Sequence, residues 1–324
     1  MNSANIYDLF KPPEDMEKRI QEGLEFLKGG QFGNAENVFQ RLLEQGAENP
    51  EVETGCICAR YWNNRLEKIN KMIKNFERGK FLLNEWEGFK TFLIKKDLDK
   101  NSIRTLKVIE NTCDFVLSLA ISDLVDAYQK LNQPDINLLM NIGESFLELS
   151  DFKRAIETIE YARVFRKKDP NVLALLADAY YGFGEILRAK VLFREAFFLN
   201  PEDIPLEKIR CQMIHDIILE IQNSGIEHIA PWIPVFGMIM GEFNVYKELS
   251  EEEVAELVRE VEQLEIEYNM KKNIYFLPYL ISKYLYLIDY LEKQLEIRYE
   301  ADKLREKIKS LDPNIFKLYE KFNH

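Results

Sequence analysis

Histidine is scarce: the 324 residues contain only His215, His228 and His324. General bases, catalytic triads and zinc enzymes lean heavily on that side chain, so its scarcity removes most of those chemistries at once. Cysteine is scarce as well. Cys56, Cys58, Cys113 and Cys211 suit buried thiols in a reducing compartment and are too few for a disulfide scaffold in so long a chain. Long apolar runs are missing. The longest, from Ile229 to Gly241, carries Pro231 and Pro234 and falls short of the roughly 20 residues that a bilayer crossing needs. The opening stretch MNSANIYDLFKPPED has neither the basic cluster nor the apolar core of a secretory signal, which makes the cytoplasm the expected location. Positive charge is the minority sign, with 43 Lys plus Arg against 55 Asp plus Glu and a net charge of -12. Diffuse attraction to nucleic acid or to an anionic membrane is therefore not expected. The short clusters Arg166-Lys167-Lys168 and Lys95-Lys96 read as solvated helix ends. Strand patterns are absent throughout.

What is present is apolar content and helical periodicity. At 46% apolar the chain can bury a large core, as one long solenoid or as two or three helical lobes. A fixed repeat period would decide between architectures before any local reading does. One period stands out. When the stretch from Leu138 is aligned with the stretch from Leu173, Gly143 matches Ala177, Phe146 matches Tyr180, Ala155 matches Ala189, Ile159 matches Phe193 and Ala162 matches Ala196, each at a separation of 34. Small residues sit where two antiparallel helices approach closely, and the aromatics fill the space beside them. Asp169-Pro170 and Asn200-Pro201 end the second helices, because a proline cannot continue the hydrogen-bond ladder and restricts the residue before it. Gly23, Phe26, Gly30, Phe32, Ala35 and Phe39 repeat the spacings of Gly143, Phe146, Ser150, Phe152, Ala155 and Ile159.

With this period and these residues the chain resembles the tetratricopeptide-repeat (TPR) family over 136–203, with a further copy near the N-terminus. A degenerate copy at the C-terminus is suggested by Ala301 and Pro313, although Asp289 stands where a small residue is expected. The resemblance implies an all-α fold, a TPR-like helical-hairpin solenoid with irregular long helices between repeats. The expected organisation is an arm at 1–15, a helical region at 16–132 with one repeat and a long helix, tandem repeats at 133–204, and a helical region at 205–324.

Between the repeats the pattern changes. From Glu51 to Lys96 no proline or strong turn intervenes, which predicts a helix running well past the length of a normal repeat. Its aromatics, among them Trp62, Phe76, Phe81 and Trp86, read as packing residues. This segment, with Trp62, Arg65, Gly79 and Trp86, also resembles a stretch of spirochaete repeat proteins, some of them flagellar motor collar subunits, which would imply an assembly scaffold. Another helix is predicted from Ile103 to Leu131, before the Asn-Gln-Pro break at 132–134. Ser250 and Glu253 form a capping box ahead of an apolar stripe of Val254, Leu257, Val258, Val261 and Leu264. The apolar segment from His228 to Phe243, with Trp232, Phe236, Met238 and Met240, is expected either to tuck into the C-terminal core or to dock a partner, with core burial the favoured reading.

Chemistry-bearing constellations are few. Cys211 and His215 share a helix face but lack a second pair of ligands, so they read as packing rather than metal binding. Cys56 and Cys58 lie on different faces of a helix and read as buried thiols. Gly29-Gly30-Gln31-Phe32-Gly33 has no preceding strand and no following Lys-Ser or Lys-Thr, and is expected to be a turn rather than a phosphate loop. No catalytic residue, metal or cofactor is expected, and the chain is read as no enzyme.

The resemblance implies instead a concave surface lined by the first helices of successive repeats. Carried over, the groove positions are Asn137, Met140, Glu144, Leu147, Asn171, Ala174, Asp178 and Tyr181. Relatives that capture a chaperone's C-terminal carboxylate use Lys and Asn where Met140 and Glu144 stand, so that clamp is missing. The mix of apolar side chains and two acids points to a protein or peptide with apolar and basic character, the alternative being that neighbouring helices of the same chain fill the groove. The expected function is a protein–protein interaction scaffold or adaptor, in a bacterial envelope or motility assembly, with self-association open. A chaperone for secreted or assembly subunits, and a regulatory sensor closing on a small molecule or peptide, are the alternatives.

Overall fold

In a computed structural model the chain is all-helical, and no strand occurs among the described residues, which are 14–47, 49–98, 103–245, 248–271 and 274–323. The expected arm at 1–15 lies outside them except for its last two positions, as does His324. No helix among the described residues is long and apolar enough to cross a membrane. Packing divides the chain into two compact units, Met1–Asp151 and Phe152–His324. The division falls inside the segment 133–204 that the repeat reading takes as one tandem pair.

The first unit contains α1 (Glu14–Lys28), α2 (Phe32–Glu44), α3 (Pro50–Lys71), α4 (Phe76–Lys95), α5 (Ile103–Tyr128) and α6 (Ile136–Glu148). The turn from α1 to α2 is the glycine segment. Gly30 adopts φ +68, and the ring of Phe115 lies where its Cβ would be, so only glycine fits there. The centre of the unit is Phe39, fully buried on α2, whose ring lies against Gly23 of α1 and Gly55 of α3. Burying such a ring contributes on the order of 1.5–3 kcal/mol. A second aromatic cluster joins Phe32, Trp62, Trp86 and Phe89, with centroid separations of 5.4–6.3 Å.

The helix expected to run on from Glu51 is broken in two. It ends at Lys71, and Asn75 starts α4 by accepting hydrogen bonds from the N–H groups of Glu77 and Arg78 at 3.0 and 3.3 Å. The break lets α4 turn back onto α5, where Arg78 donates from Nε and Nη2 to the two carboxylate oxygens of Asp123 at 2.5 and 2.8 Å. Both residues are buried.

The second unit contains α7 (Phe152–Phe165), α8 (Pro170–Phe183), α9 (Ile186–Leu199), α10 (Gln212–Asn223), α11 (Ile233–Ile239), α12 (Glu251–Lys271), α13 (Leu277–Lys293), α14 (Arg298–Leu311) and α15 (Pro313–Asn323). Asp169 caps α8 by accepting from the N–H groups of Asn171 and Val172, with Pro170 in the first turn, where its missing N–H has no partner to lose. Gly184 closes the helix in the left-handed region at φ +92. Successive helices α7, α8 and α9 pack side by side, and Ala155, Ala162, Ala177, Ala189 and Ala196 are fully buried. Phe236, Met238 and Phe243 carry the apolar 228–243 segment into the core of this unit. The capping box at the start of α12 is formed, with Ser250 N–H donating to Glu253 Oε2 at 2.9 Å and Glu253 N–H to Ser250 Oγ at 3.2 Å.

Candidate functional site

The eight groove positions fall in both units, four in each, and their surroundings differ. In the first unit Asn137 is exposed and Glu144 half-buried on α6, while Met140 and Leu147 are buried. In the second unit Ala174 and Asp178 are buried on α8, and Asn171 and Tyr181 are half-buried. Half of the set is therefore turned inward.

The reason at Asp178 is the connector after α9. Asn200 accepts from Glu202 N–H and starts a short 3-10 turn over Pro201–Asp203, and a second turn covers Leu206–Lys208. The chain then runs as Ile209-Arg210-Cys211 against α8, with Ile209 and Cys211 buried. Arg210 N–H donates to both carboxylate oxygens of Asp178 at 3.1 Å, and Cys211 N–H also bonds to the carboxyl. Asp178 thus anchors its own chain and does not offer a charge to a ligand. Burial pushes its carboxyl up to about 6, against the downward pull of those two N–H donors and of the nearby His215. Tyr181 is engaged by the first turn of α10 through Met213 N–H. His215 itself holds the connector, with Nε2 at 2.8 Å from the Ile209 carbonyl oxygen.

Another concave feature lies on the far side of α9, in a cavity of ≈ 140 Å³. Its walls come from Val191, Arg194, Glu195, Phe198 and Leu199 of α9, from Glu253, Glu256, Leu257 and Glu260 of α12, from Lys283 and Tyr286 of α13, and from Lys168, Val245 and Leu249 outside these helices. Arg194 is only 3% exposed. Its Nη2 donates to Asp289 at 3.0 Å, its Nη1 donates to the Val245 carbonyl, and its guanidinium lies 4.4 Å from the centre of the Tyr286 ring. Lys283 pairs with Glu260 at 2.7 Å and donates to the Phe198 carbonyl at 3.3 Å. Both inner cations are thereby engaged with a carboxylate, Asp289 being shared with Lys293 at 2.7 Å. Glu195 and Glu256 have no ion-pair partner among the described residues.

None of the cavity residues was singled out from the sequence as a site. One signal was there: Arg194 interrupts the otherwise apolar run Val191-Leu192-Phe193 and Ala196-Phe197-Phe198, and a charge on a helix's buried face demands a partner. That partner, Asp289, is the residue that breaks the degenerate C-terminal repeat.

Surface chemistry elsewhere in this unit is modest. Tyr161, Val164 and Phe165 of α7 are exposed, and Arg166, Lys167 and Lys168 follow them into solvent. Glu202 bonds to exposed His228 at 3.0 Å and accepts from Tyr279 at 3.3 Å. Burial, with the Glu202 charge, pushes Tyr279 up to about 12, a direction that holds its proton rather than releasing it for chemistry.

Neither a protein-family model nor any curated protein matches this chain.

Proposed function

We propose that the chain is a non-enzymatic helical-repeat scaffold of the TPR type that holds a polypeptide segment with apolar and basic character. The observation that carries this reading is the full burial of Ala155, Ala162, Ala177, Ala189 and Ala196. They are the small residues that the 34-residue period assigns to helix–helix contacts. Hairpins packed through small residues at a fixed period are the way repeat scaffolds build an extended binding face. The net charge of -12 supports the basic character of the partner, since complementary charge both steers encounter and selects the partner. Of the groove positions, Asn137 and Glu144 in the first unit and Asn171 and Tyr181 in the second keep accessible surface, and those are the ones proposed to meet such a segment.

The test is a fluorescence-anisotropy titration of the full chain with a panel of labelled peptides, alternating leucine with lysine, with glutamate or with serine. The lysine series is expected to bind and the glutamate series not to. Glu144→Lys is expected to weaken binding about tenfold, the typical effect of a well-placed charge, with the circular dichroism unchanged. Equal binding of all three series, or an unaltered affinity for Glu144→Lys, would sink the proposal.

A further inference from the structure

The cavity between α9, α12 and α13 is a chemically mixed pocket whose parts have different fates. Its inner cations are spent, Arg194 on Asp289 and the Val245 carbonyl, and Lys283 on Glu260 and the Phe198 carbonyl. The remaining Nε of Arg194 has no partner among the described residues and is sealed beneath the surface, out of reach of a ligand. What stays open to an incoming group, among the described residues, is an apolar wall, from Val191, Phe198 and Leu257, and a polar rim in which Glu195 on α9 and Glu253 and Glu256 on α12 outnumber the one further cation, Lys168. A group that fills such a space has an apolar stem and a cationic end. An acidic group would meet two like charges, and a purely apolar one would strip water from them without return.

Lysine and arginine have this shape: a methylene stem that covers apolar surface and a charged head that returns to the polar rim. The volume, ≈ 140 Å³, is close to that of the roughly 150 Å³ engineered cavity that takes up one benzene molecule, so one side chain fits and a folded domain does not. We infer that this cavity is the specificity pocket for one lysine or arginine side chain of the bound polypeptide, with its stem against Val191, Phe198 and Leu257 and its head between Glu195 and Glu256. The inference rests on the polypeptide-holding reading above and gives it a second contact point, within 152–323 alone.

The deciding experiment uses the same anisotropy titration on the full chain, with three variants. Val191→Trp fills the cavity, and Glu195→Gln and Glu256→Gln remove the rim charges while keeping side-chain size. The lysine peptide is expected to lose tenfold or more in affinity for Val191→Trp and about threefold for each glutamine variant. The double glutamine variant should also flatten the salt dependence of binding. A peptide with norleucine in place of lysine, which keeps the stem and lacks the charge, should bind the unaltered chain as weakly as lysine peptide binds the double variant. Because Val191→Trp can disturb packing, its result counts only if its melting temperature stays within a few degrees; otherwise the glutamine variants and the norleucine peptide decide. Lysine-peptide binding that is lost in Glu144→Lys but unmoved by the double glutamine variant overturns the pocket and leaves the scaffold standing. No binding of the lysine peptide to the unaltered chain overturns both. Binding of free butylamine at the same rim with no peptide binding would assign the cavity to small amines and also overturn the inference.

Discussion

Asp178 offers the sharpest prediction, because its carboxyl is buried on α8 and held by the connector at Arg210 and Cys211. Burial raises it from 3.8 to about 6. At 1.36 kcal/mol per factor of ten in proton affinity, that difference corresponds to about 3 kcal/mol. The folded chain holds this proton more tightly than the unfolded chain, so the associated stability is fully present below about pH 4 and is lost as the pH rises through about 6. Above that, the fold carries a buried carboxylate whose two N–H donors only partly replace water. Asp178→Asn keeps an acceptor for Arg210 and cannot ionise, so it escapes the titration while losing one hydrogen bond, worth about 1 kcal/mol. Equilibrium urea unfolding of both proteins, followed by circular dichroism at half-unit steps from pH 4 to 8, isolates the effect. The stability of the variant relative to the unaltered chain should climb by about 2–2.5 kcal/mol from pH 4 to 8, the part of the roughly 3 kcal/mol linkage that falls within this range. The difference curve, in which groups not coupled to Asp178 cancel, is the quantity to read. A flat difference curve would refute the reasoning, because it would mean that Asp178 ionises inside the fold without cost. The same geometry rules out Asp178→Lys as a probe of ligand binding, since a lysine there would break the connector's anchorage and disturb α8 itself.

Two further outcomes follow from buried groups. Arg78→Met strands the carboxylate of Asp123, which is 2% exposed, and should cost 3–5 kcal/mol, roughly the penalty for a buried charge left alone. Arg78→Met with Asp123→Leu should recover most of that loss in urea unfolding, and a single variant costing less than about 1 kcal/mol would show the pair to be wet. Burial also pushes the thiols of Cys58 and Cys211 up to about 12, so at pH 8 both should react with an aromatic disulfide reagent about a thousandfold more slowly than an ordinary thiol, whose thiolate fraction is that much larger. Full reactivity should return in guanidinium, and rapid labelling of the native chain at either position would contradict their burial.

Much of the helical structure was legible because its signals are local. The capping box of Ser250 and Glu253, the break after Leu131, and the prolines at 170 and 201 each act within one turn of helix, where a side chain or a missing N–H meets its neighbours in the chain. The 34-residue period was legible for a related reason: small residues recur wherever two helices approach, whatever else surrounds them. The end of α3 was not. Asn75 reads as an ordinary polar residue in a helical background, and it becomes a cap only because α4 must fold back to bring Arg78 to Asp123, 45 residues further on.

The expected groove positions show the same division more clearly. The resemblance implied a groove position for Asp178, and its placement on α8 needs only the helix. Whether its carboxylate faces a ligand or the chain's own backbone depends on where residues 209–211 lie, some thirty positions later. The cavity's character likewise depends on Asp289 and Glu260 reaching Arg194 and Lys283, across 95 and 23 residues. The sequence by itself determined an all-helical chain, with small residues at one fixed period, because hydrogen-bonded turns and close helix contacts are short-range. Only the tertiary structure decided which charges are spent internally and which remain at a surface, because an ion pair or a capped carboxylate is a contact between segments that local pattern does not bring together.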